Sequence, residues 1–206
     1  IDLSLERLKK LLEKLDNPEK KLPPVIHVAG TNGKGSTISI LRSIQKAAGR
    51  SSHVYTSPHL VNLTERFLIA DKEVKATTLV KLLKQCEEAN AGSAITFFEI
   101  ITAAGFLAFS TFKADLLLLE VGLGGRFDAT NVINNPILSI ITPISLDHQH
   151  YLGNTLSKIA FEKAGILKDN KPAIIGKQYP EALEVIKLKA AQTNSKLFVF
   201  ERDWNI

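Results

Sequence analysis

A glycine-rich segment near the N-terminal end carries the residue types that hold phosphate. It reads Gly30, Thr31, Asn32, Gly33, Lys34, Gly35 and Ser36. Glycines allow the backbone to turn successive N–H groups towards an anion, and the helix that follows adds positive potential. Lys34 can reach the outer phosphates, and Ser36 or Thr37 can bring a hydroxyl near a bound metal. The segment therefore predicts a site for the phosphates of ATP, with a simple helix-capping turn as the alternative.

Glu120 is the second candidate, because it ends an apolar run and precedes a glycine-rich turn. A carboxylate in such a place is costly without a partner, and Mg²⁺ prefers oxygen ligands. Ligands of open α/β sheets bind at the carboxyl ends of the strands, which favours a metal here. The alternative is a carboxylate that accepts the backbone N–H groups of Gly122–Gly125.

Three further polar side chains have plain structural explanations when the residues are considered alone. His148 is a lone histidine in a loop, where a histidine is usually a structural hydrogen-bonding group. Ser57 precedes Pro58 and fits ordinary turn chemistry. Lys163 lies on a predicted helix and resembles the many surface lysines of the chain.

Alternating strands and helices must position these residues. Hydrophobic periodicity and breaker residues predict strands at 25–29, from 54, and at 115–121, 137–141, 172–175 and 197–200. They predict helices at 3–15, 36–48, 76–89, 97–112, 157–167 and 181–191. The alternation predicts an α/β fold, with a mostly parallel sheet covered by helices on both faces and a phosphate-binding loop after the first strand. We expect residues 1–206 to form one ATP-binding domain.

The composition limits the classes of function. The chain has 206 residues and a net charge of +5, but it does not interleave basic and aromatic residues as a single-strand binder would. No apolar run reaches the ~18 residues that span a bilayer, and no signal peptide is recognisable. Cys86 is the single cysteine and cannot form an internal disulfide. We expect a cytoplasmic protein without nucleic-acid or membrane partners.

The phosphate segment resembles that of the folylpolyglutamate synthase and dihydrofolate synthase family, within the Mur ligase superfamily. Gly35 follows the lysine, which departs from the standard Gly-x-x-x-x-Gly-Lys-Ser/Thr loop but is that family's own pattern. Other segments agree in order, so that the resemblance covers nearly the whole chain. They are Tyr55–Leu60, Thr96–Glu99, Leu119–Val132, Leu146–Gln149 and Glu162–Ile166.

The resemblance implies roles for particular residues. The implied magnesium ligands are Ser57, Glu120, His148 and Lys163, of which Lys163 would act as a carbamate. The implied catalytic residues are Lys34, Glu120, His148 and Lys163. The implied contacts of a pterin-bearing substrate are Thr96, Phe97, Phe98, Glu99, Phe127, Asp128 and Ala129. The aromatic members could stack on a flat heterocycle, with core packing as the simpler alternative. Ile1–Ser4 resembles another substrate-contacting segment, and Arg126 is a weaker candidate for binding phosphate or a substrate carboxylate.

The resemblance also implies a two-step condensation. ATP, with Mg²⁺, phosphorylates a pterin-linked carboxylate to an acyl phosphate, and the amine of L-glutamate then displaces phosphate to form an amide. The acid is dihydropteroate, a (tetrahydro)folate or both. The alternatives are another Mur-type amino-acid ligase, a P-loop kinase or hydrolase, and a nucleotide-binding module without activity. The Thr96–Glu99 segment favours the folate branch.

The family's C-terminal domain has no counterpart in this chain, and we therefore expect the chain to be inactive alone. The sequence contains no methionine, even at position 1, which predicts that it is not a complete translation product. When full length, the protein is expected to be a monomer.

Overall fold

One sheet organises the chain, as seen in a computed structural model that describes residues 4–205. The strands are β1 (Val25–Ala29), β2 (Ser52–Tyr55), β3 (Phe67–Ile69), β4 (Lys72–Glu73), β5 (Leu116–Glu120), β6 (Leu138–Ile141), β7 (Ala173–Ile175) and β8 (Leu197–Val199). The helices are α1 (Glu6–Lys14), α2 (Lys34–Ala47), α3 (Ala76–Asn90), α4 (Phe97–Thr111), α5 (Gln149–Leu152), α6 (Leu156–Ala164) and α7 (Pro180–Gln192).

The sheet is mostly parallel, which confirms the predicted fold class. Its strand order is β4-β3-β2-β5-β1-β6-β7-β8, and the strands from β2 to β8 in that order all run parallel. An antiparallel edge formed by β3 and β4 was not predicted. These two strands have three and two residues, which is too short for a period-two pattern to be recognised.

Helices cover both faces of the sheet, but unequally. On one face Ile38 of α2 packs with Val28, Val54 and Leu118. The opposite face carries two further apolar clusters, one built with α1, α3 and α4 and the other with α6 and α7. Strands β1 and β5 are buried along their whole length, as their uninterrupted apolar character predicts for central parallel strands.

The carboxyl ends of the parallel strands bring distant parts of the sequence to one edge of the sheet. Residue Val28 is paired with both Glu120 and Ile140, and Tyr55 is paired with Leu119. The loops that leave β1, β2, β5 and β6 therefore begin side by side. These are the loops that contain most of the residues singled out by their chemistry.

Several predicted boundaries are corrected. The helix expected from residue 36 begins at Lys34, so the last part of the glycine-rich segment forms the first turn of α2. The helix expected over 157–167 ends at Ala164, and the short α5 was not predicted. The helix expected over 3–15 is α1, and its predicted start at Leu3 lies outside the described residues. No helix within residues 4–205 is long and apolar enough to cross a bilayer.

Candidate functional site

The glycine-rich loop between β1 and α2 presents an open surface at the helix N-terminus. Gly33 adopts a left-handed conformation with φ of 83°, which glycine accepts without strain. A Cβ atom added at Gly33 or Gly35 would meet no atom within 4 Å. The space above the loop is therefore free, and the first N–H groups of α2 point into it as they do in anion sites.

Hydrogen bonds join this loop to the loop that follows β6. The N–H of Thr31 donates to Pro143 O over 3.0 Å, and its hydroxyl donates to Ser145 O over 3.1 Å. The same hydroxyl accepts the N–H of Ser145 over 3.1 Å. On the other side, a Cβ at Gly30 would lie 1.8 Å from Thr142 Oγ1, so only glycine fits there. The two loops therefore hold each other in place.

The side chains of two lysines donate hydrogen bonds to backbone carbonyls of the loop. The ammonium of Lys34 donates to Gly30 O and Thr31 O over 3.1 and 3.2 Å. Lys163, on α6, also donates to Gly30 O, over 2.9 Å, and is 4% exposed. Burial, together with the positive charge of Lys34, lowers the pKa of Lys163 to about 8. The surface-lysine alternative for Lys163 is therefore wrong, because the side chain is buried and contacts the phosphate loop.

Glu120 ends β5 in a buried position, with 4% of its surface exposed. Its only hydrogen bond within residues 4–205 comes from the N–H of Ser57, over 3.4 Å. Burial raises the pKa of Glu120, and the charge of Lys34 opposes this effect. The alternative role as a cap of the glycine turn belongs to another residue, since Asp128 accepts the N–H of Leu123 over 2.8 Å.

Asp128 is held by a buried chain of hydrogen bonds that begins in β1. Its Oδ1 accepts the N–H and the hydroxyl of Thr130 over 3.0 and 2.5 Å. The Thr130 oxygen lies 2.9 Å from His27 Nε2, and because the hydroxyl proton is used on Asp128, His27 must donate. The imidazole is fully buried, and burial lowers the pKa of His27 to about 3. His27 is therefore neutral and protonated on Nε2.

A cavity of about 700 Å³ opens beside these groups. It brings together nearly all the residues for which the family resemblance implied substrate or metal contacts. From those predictions its lining contains Ser57, Thr96, Phe97, Phe98, Glu99, Phe127, Asp128, Ala129 and His148. Ser4 also lines it, whereas residues 1–3 of the predicted N-terminal contact lie outside the described residues.

The segment at the start of α4 also caps that helix, and the spacing of its residues could have predicted this role. Thr96 and Glu99 form a capping box, in which each side chain accepts the other residue's N–H over 3.2 and 2.7 Å. Glu99 also pairs with Arg7 of α1 over 3.3 Å. Phe98 packs over Gly122, where a Cβ would lie 2.4 Å from its ring, whereas Phe97 is 60% exposed. Phe97 is therefore better placed than Phe98 to stack on a ligand.

Glu120 and Ser57 fit a magnesium ion, since a buried carboxylate with one long hydrogen bond stands beside a hydroxyl. His148 lines the same cavity but is exposed, and its Nε2 lies 3.6 Å from Asp147. Residues 4–205 contain no group of three or more His, Cys, Asp or Glu side chains placed to hold a metal. Mg²⁺ usually takes one or two protein carboxylates and completes its shell with phosphates and water.

Arg126 is not placed as a free anion-binding group. It donates to both carboxylate oxygens of Glu162, over 2.7 and 3.3 Å, and its guanidinium lies 4.2 Å from the centre of the Phe127 ring. Its charge is therefore already paired, and the residue does not line the cavity.

Arg66 is a site residue that the sequence did not identify. It lines the cavity beside Ser57, and only 8% of its surface is exposed. A lone arginine directly before the apolar run Phe67–Ile69 was the available signal, because a charge next to a buried strand needs an explanation.

Known proteins share both the sequence and the fold. The Mur ligase middle domain family matches residues 28–203. A dihydrofolate synthase/folylpolyglutamate synthase of Bacillus subtilis (strain 168) is 45% identical over 195 residues, which cover 90% of this chain and 44% of that protein. The protein of the same description from Escherichia coli (strain K12) is 40% identical, over 100% of this chain and 48% of its own length. The chain spans about half the length of the curated relatives it matches.

Solved structures agree with these relatives. Escherichia coli FolC in complex with DHPP and ADP superposes with a TM-score of 0.93 at 40% identity, covering 100% of this chain and 49% of that one. Mycobacterium tuberculosis folylpolyglutamate synthase complexed with ADP and AMPPCP superposes with a TM-score of 0.91 at 35% identity, over 98% and 48% of the two chains.

Proposed function

Because the chain belongs to the Mur ligase middle domain family, we propose that it is the ATP-binding part of an acid–amino-acid ligase that joins L-glutamate to a pterin-linked carboxylate. The observation that supports this most is that one cavity, of about 700 Å³, is lined by several of the predicted substrate-contacting segments. It connects Ser57, whose N–H donates to Glu120, with the Thr96–Glu99 and Phe127–Ala129 segments. A flat acid substrate lying in it would direct its carboxylate towards the loop.

The nucleotide end of the site would hold the phosphates of ATP. The N–H groups at the start of α2 and the ammonium of Lys34 supply donors and positive charge. Thr37 already donates its hydroxyl to Gly33 O over 2.8 Å, which leaves Ser36 as the exposed hydroxyl at this end. The Escherichia coli and Mycobacterium tuberculosis neighbours bind ADP, which supports the same use of the loop here.

The metal would lie between this loop and Glu120. Glu120 and Ser57 would hold Mg²⁺ from the protein side, with His148 and a carbamate on Lys163 as further ligands. When bound, the ion supplies charge neutralisation for the phosphoryl group in transfer. The chain's own contribution is to keep these groups in place and to shield Glu120 and Lys163 from water, where electrostatic interactions are strongest.

The acid substrate would occupy the aromatic end of the cavity. Phe97 and Phe127 are 60% and 36% exposed and offer faces for a flat heterocycle. Asp128, fixed by Thr130 and Leu123, lines this cavity as well. The neighbour that contains DHPP supports a substrate of this class. The acid is dihydropteroate, a reduced folate or both.

The remaining parts of the proposal concern the whole protein. The half of the relatives that this chain does not span would close over nucleotide and glutamate and exclude water from the acyl phosphate. We place the protein in the cytoplasm as a monomer with small-molecule partners only: ATP, the pterin-linked acid and L-glutamate.

Release of ADP provides the test. The chain would be assayed alone and after joining to the C-terminal half of the Bacillus subtilis relative, with Mg·ATP, dihydropteroate or tetrahydrofolate, and glutamate. The joined protein should release ADP only when acid and glutamate are both present, and mass spectrometry should find the glutamyl amide. ADP release that does not depend on glutamate would instead indicate a kinase or hydrolase. Rapid glutamate-dependent release by the chain alone would contradict the need for a second domain.

A further inference from the structure

Arg66 is a buried cation that lines the cavity. It is the last residue of a short 3₁₀ turn, Leu63–Arg66, immediately before β3. Its carbonyl accepts the N–H of Thr56 over 3.1 Å, which fixes its backbone next to Ser57. The side chain lines the cavity together with Ser57, whose N–H donates to Glu120. Burial raises the pKa of Glu120, and the charges of Lys34 and Arg66 both oppose this rise.

The guanidinium of Arg66 has neutral partners, the Tyr55 hydroxyl and the His59 ring, rather than an anionic one. Its Nε donates to His59 Nδ1 over 2.9 Å. Within residues 4–205 it forms no ion pair with a carboxylate, whereas four other arginines, Arg7, Arg42, Arg126 and Arg202, each have one. A buried charge without a counter-charge is costly, so its retention in a cavity needs a reason.

Three acidic residues lie in or beside this cavity, and all are otherwise engaged. Glu99 pairs with Arg7 over 3.3 Å. Asp128 takes donors from Leu123 and Thr130. Glu120 stands next to the phosphate loop, and Lys34 lowers its pKa more than Arg66 does. Within residues 4–205, none of the three carboxylates forms an ion pair with the guanidinium of Arg66.

We propose that Arg66 binds the carboxylate of the acid substrate, the group that ATP activates. The inference rests on the proposed function, because that function places a carboxylate in this cavity. A guanidinium offers two parallel N–H donors that match the two oxygens of a carboxylate, and burial strengthens the contact. The ligand class is therefore an aromatic acid in its ionised form.

The test separates recognition of the carboxylate from the shape of the cavity. Calorimetry in the presence of Mg·ADP would measure the binding of dihydropteroate and of its neutral carboxamide to the parent chain, Arg66→Gln and Arg66→Lys. Arg50→Gln, an exposed arginine outside the site, is the matched control. Arg66→Gln should weaken the acid by about tenfold or more and leave the carboxamide within about twofold, since a charge-assisted contact is lost. Arg66→Lys should lose less, because the charge remains.

Three other results would contradict the proposed role of Arg66 in binding the carboxylate. Equal weakening of acid and carboxamide in both variants would mean that Arg66 only shapes the cavity, and the inference would be wrong while the proposed function stood. Weaker Mg·ADP binding with an unchanged preference for the acid would mean that Arg66 positions Glu120 instead. If the parent chain bound neither the acid nor the carboxamide, the proposed function would be wrong and this inference with it. Should Arg66→Gln fail to fold, the acid-to-carboxamide ratio of Arg66→Lys decides.

Discussion

Lys34 and Lys163 donate to the same atom, the carbonyl oxygen of Gly30, over 3.1 and 2.9 Å. One carbonyl dipole cannot neutralise two ammonium groups, and the charge of Lys34 contributes to the lowered pKa of Lys163. The region beneath the loop thus carries an excess of positive charge that a bound polyphosphate would offset. The same crowding favours any chemistry that removes the charge of Lys163.

Replacing Lys34 by alanine should weaken Mg·ATP binding by about tenfold to a hundredfold, the cost of one charge-assisted contact. The fold should persist, because the ammonium is only half-buried and its partners in the structure are carbonyls of its own loop. Calorimetry with Lys46→Ala, an exposed lysine on the same helix, provides the comparison. Equal Mg·ATP affinity of the parent and of Lys34→Ala would show that Lys34 does not contact the nucleotide.

Replacing Glu120 by glutamine should abolish metal-dependent turnover in the joined two-domain protein without destabilising the chain. Burial raises the pKa of Glu120 above its ordinary value of 4.5, so the ionised form costs folding free energy at neutral pH. That cost is absent below pH 4.5 and grows as the pH rises through the folded-state pKa. The melting temperature of Glu120→Gln should therefore match or exceed that of the parent at pH 8. Glu88→Gln, on the exposed surface of α3, is the control, and normal turnover in Glu120→Gln would mean that this carboxylate holds no metal.

Lys163 is predicted to act as a carbamate. With a pKa of about 8, part of the buried amine is neutral near physiological pH and can take up CO₂, which yields two oxygens for a hard cation. Lys163→Ala should impair the two-domain protein, and acetate should restore part of the activity by filling the gap. Lys163→Arg should stay inactive with or without acetate, because its charge is permanent.

Activity assays of both Lys163 variants, beside Lys158→Ala on the exposed face of α6, measure this. Full activity of Lys163→Arg would show that the residue serves as an ordinary cation.

His27 should make the chain sensitive to acid. Its folded-state pKa of about 3 lies below its ordinary value of 6.5, so the unfolded chain binds a proton that the folded chain does not. The contribution to stability is complete above pH 6.5 and is lost as the pH falls towards 3, by up to about 1.4 kcal/mol per pH unit. His27→Gln, whose amide can still donate to Thr130, should show a shallower loss in urea unfolding between pH 6.5 and 4. The exposed His150→Gln should follow the parent, and identical slopes for all three proteins would contradict the burial argument.

The elements of this fold were predictable where the sequence carries a local pattern. The apolar strand ending at Glu120 and the glycine-rich loop before Lys34 have such patterns, and both lie where parallel strands end. The hydrogen bonds from His27 through Thr130 to Asp128 were not predictable, because they join residues far apart in the chain whose meeting depends on strand order. The capping box of Thr96 and Glu99 was readable from its spacing.

The contact between Gly30 and Thr142 has a consequence for how this protein can change over time. A side chain at position 30 would occupy the place of the Thr142 hydroxyl, so a larger residue there requires a smaller one at position 142 and a backbone able to accept it. The two positions are therefore expected to vary together among descendants of this sequence. A library that randomises position 30 alone should return mostly glycine, and a library that randomises positions 30 and 142 together should reveal the permitted pairs.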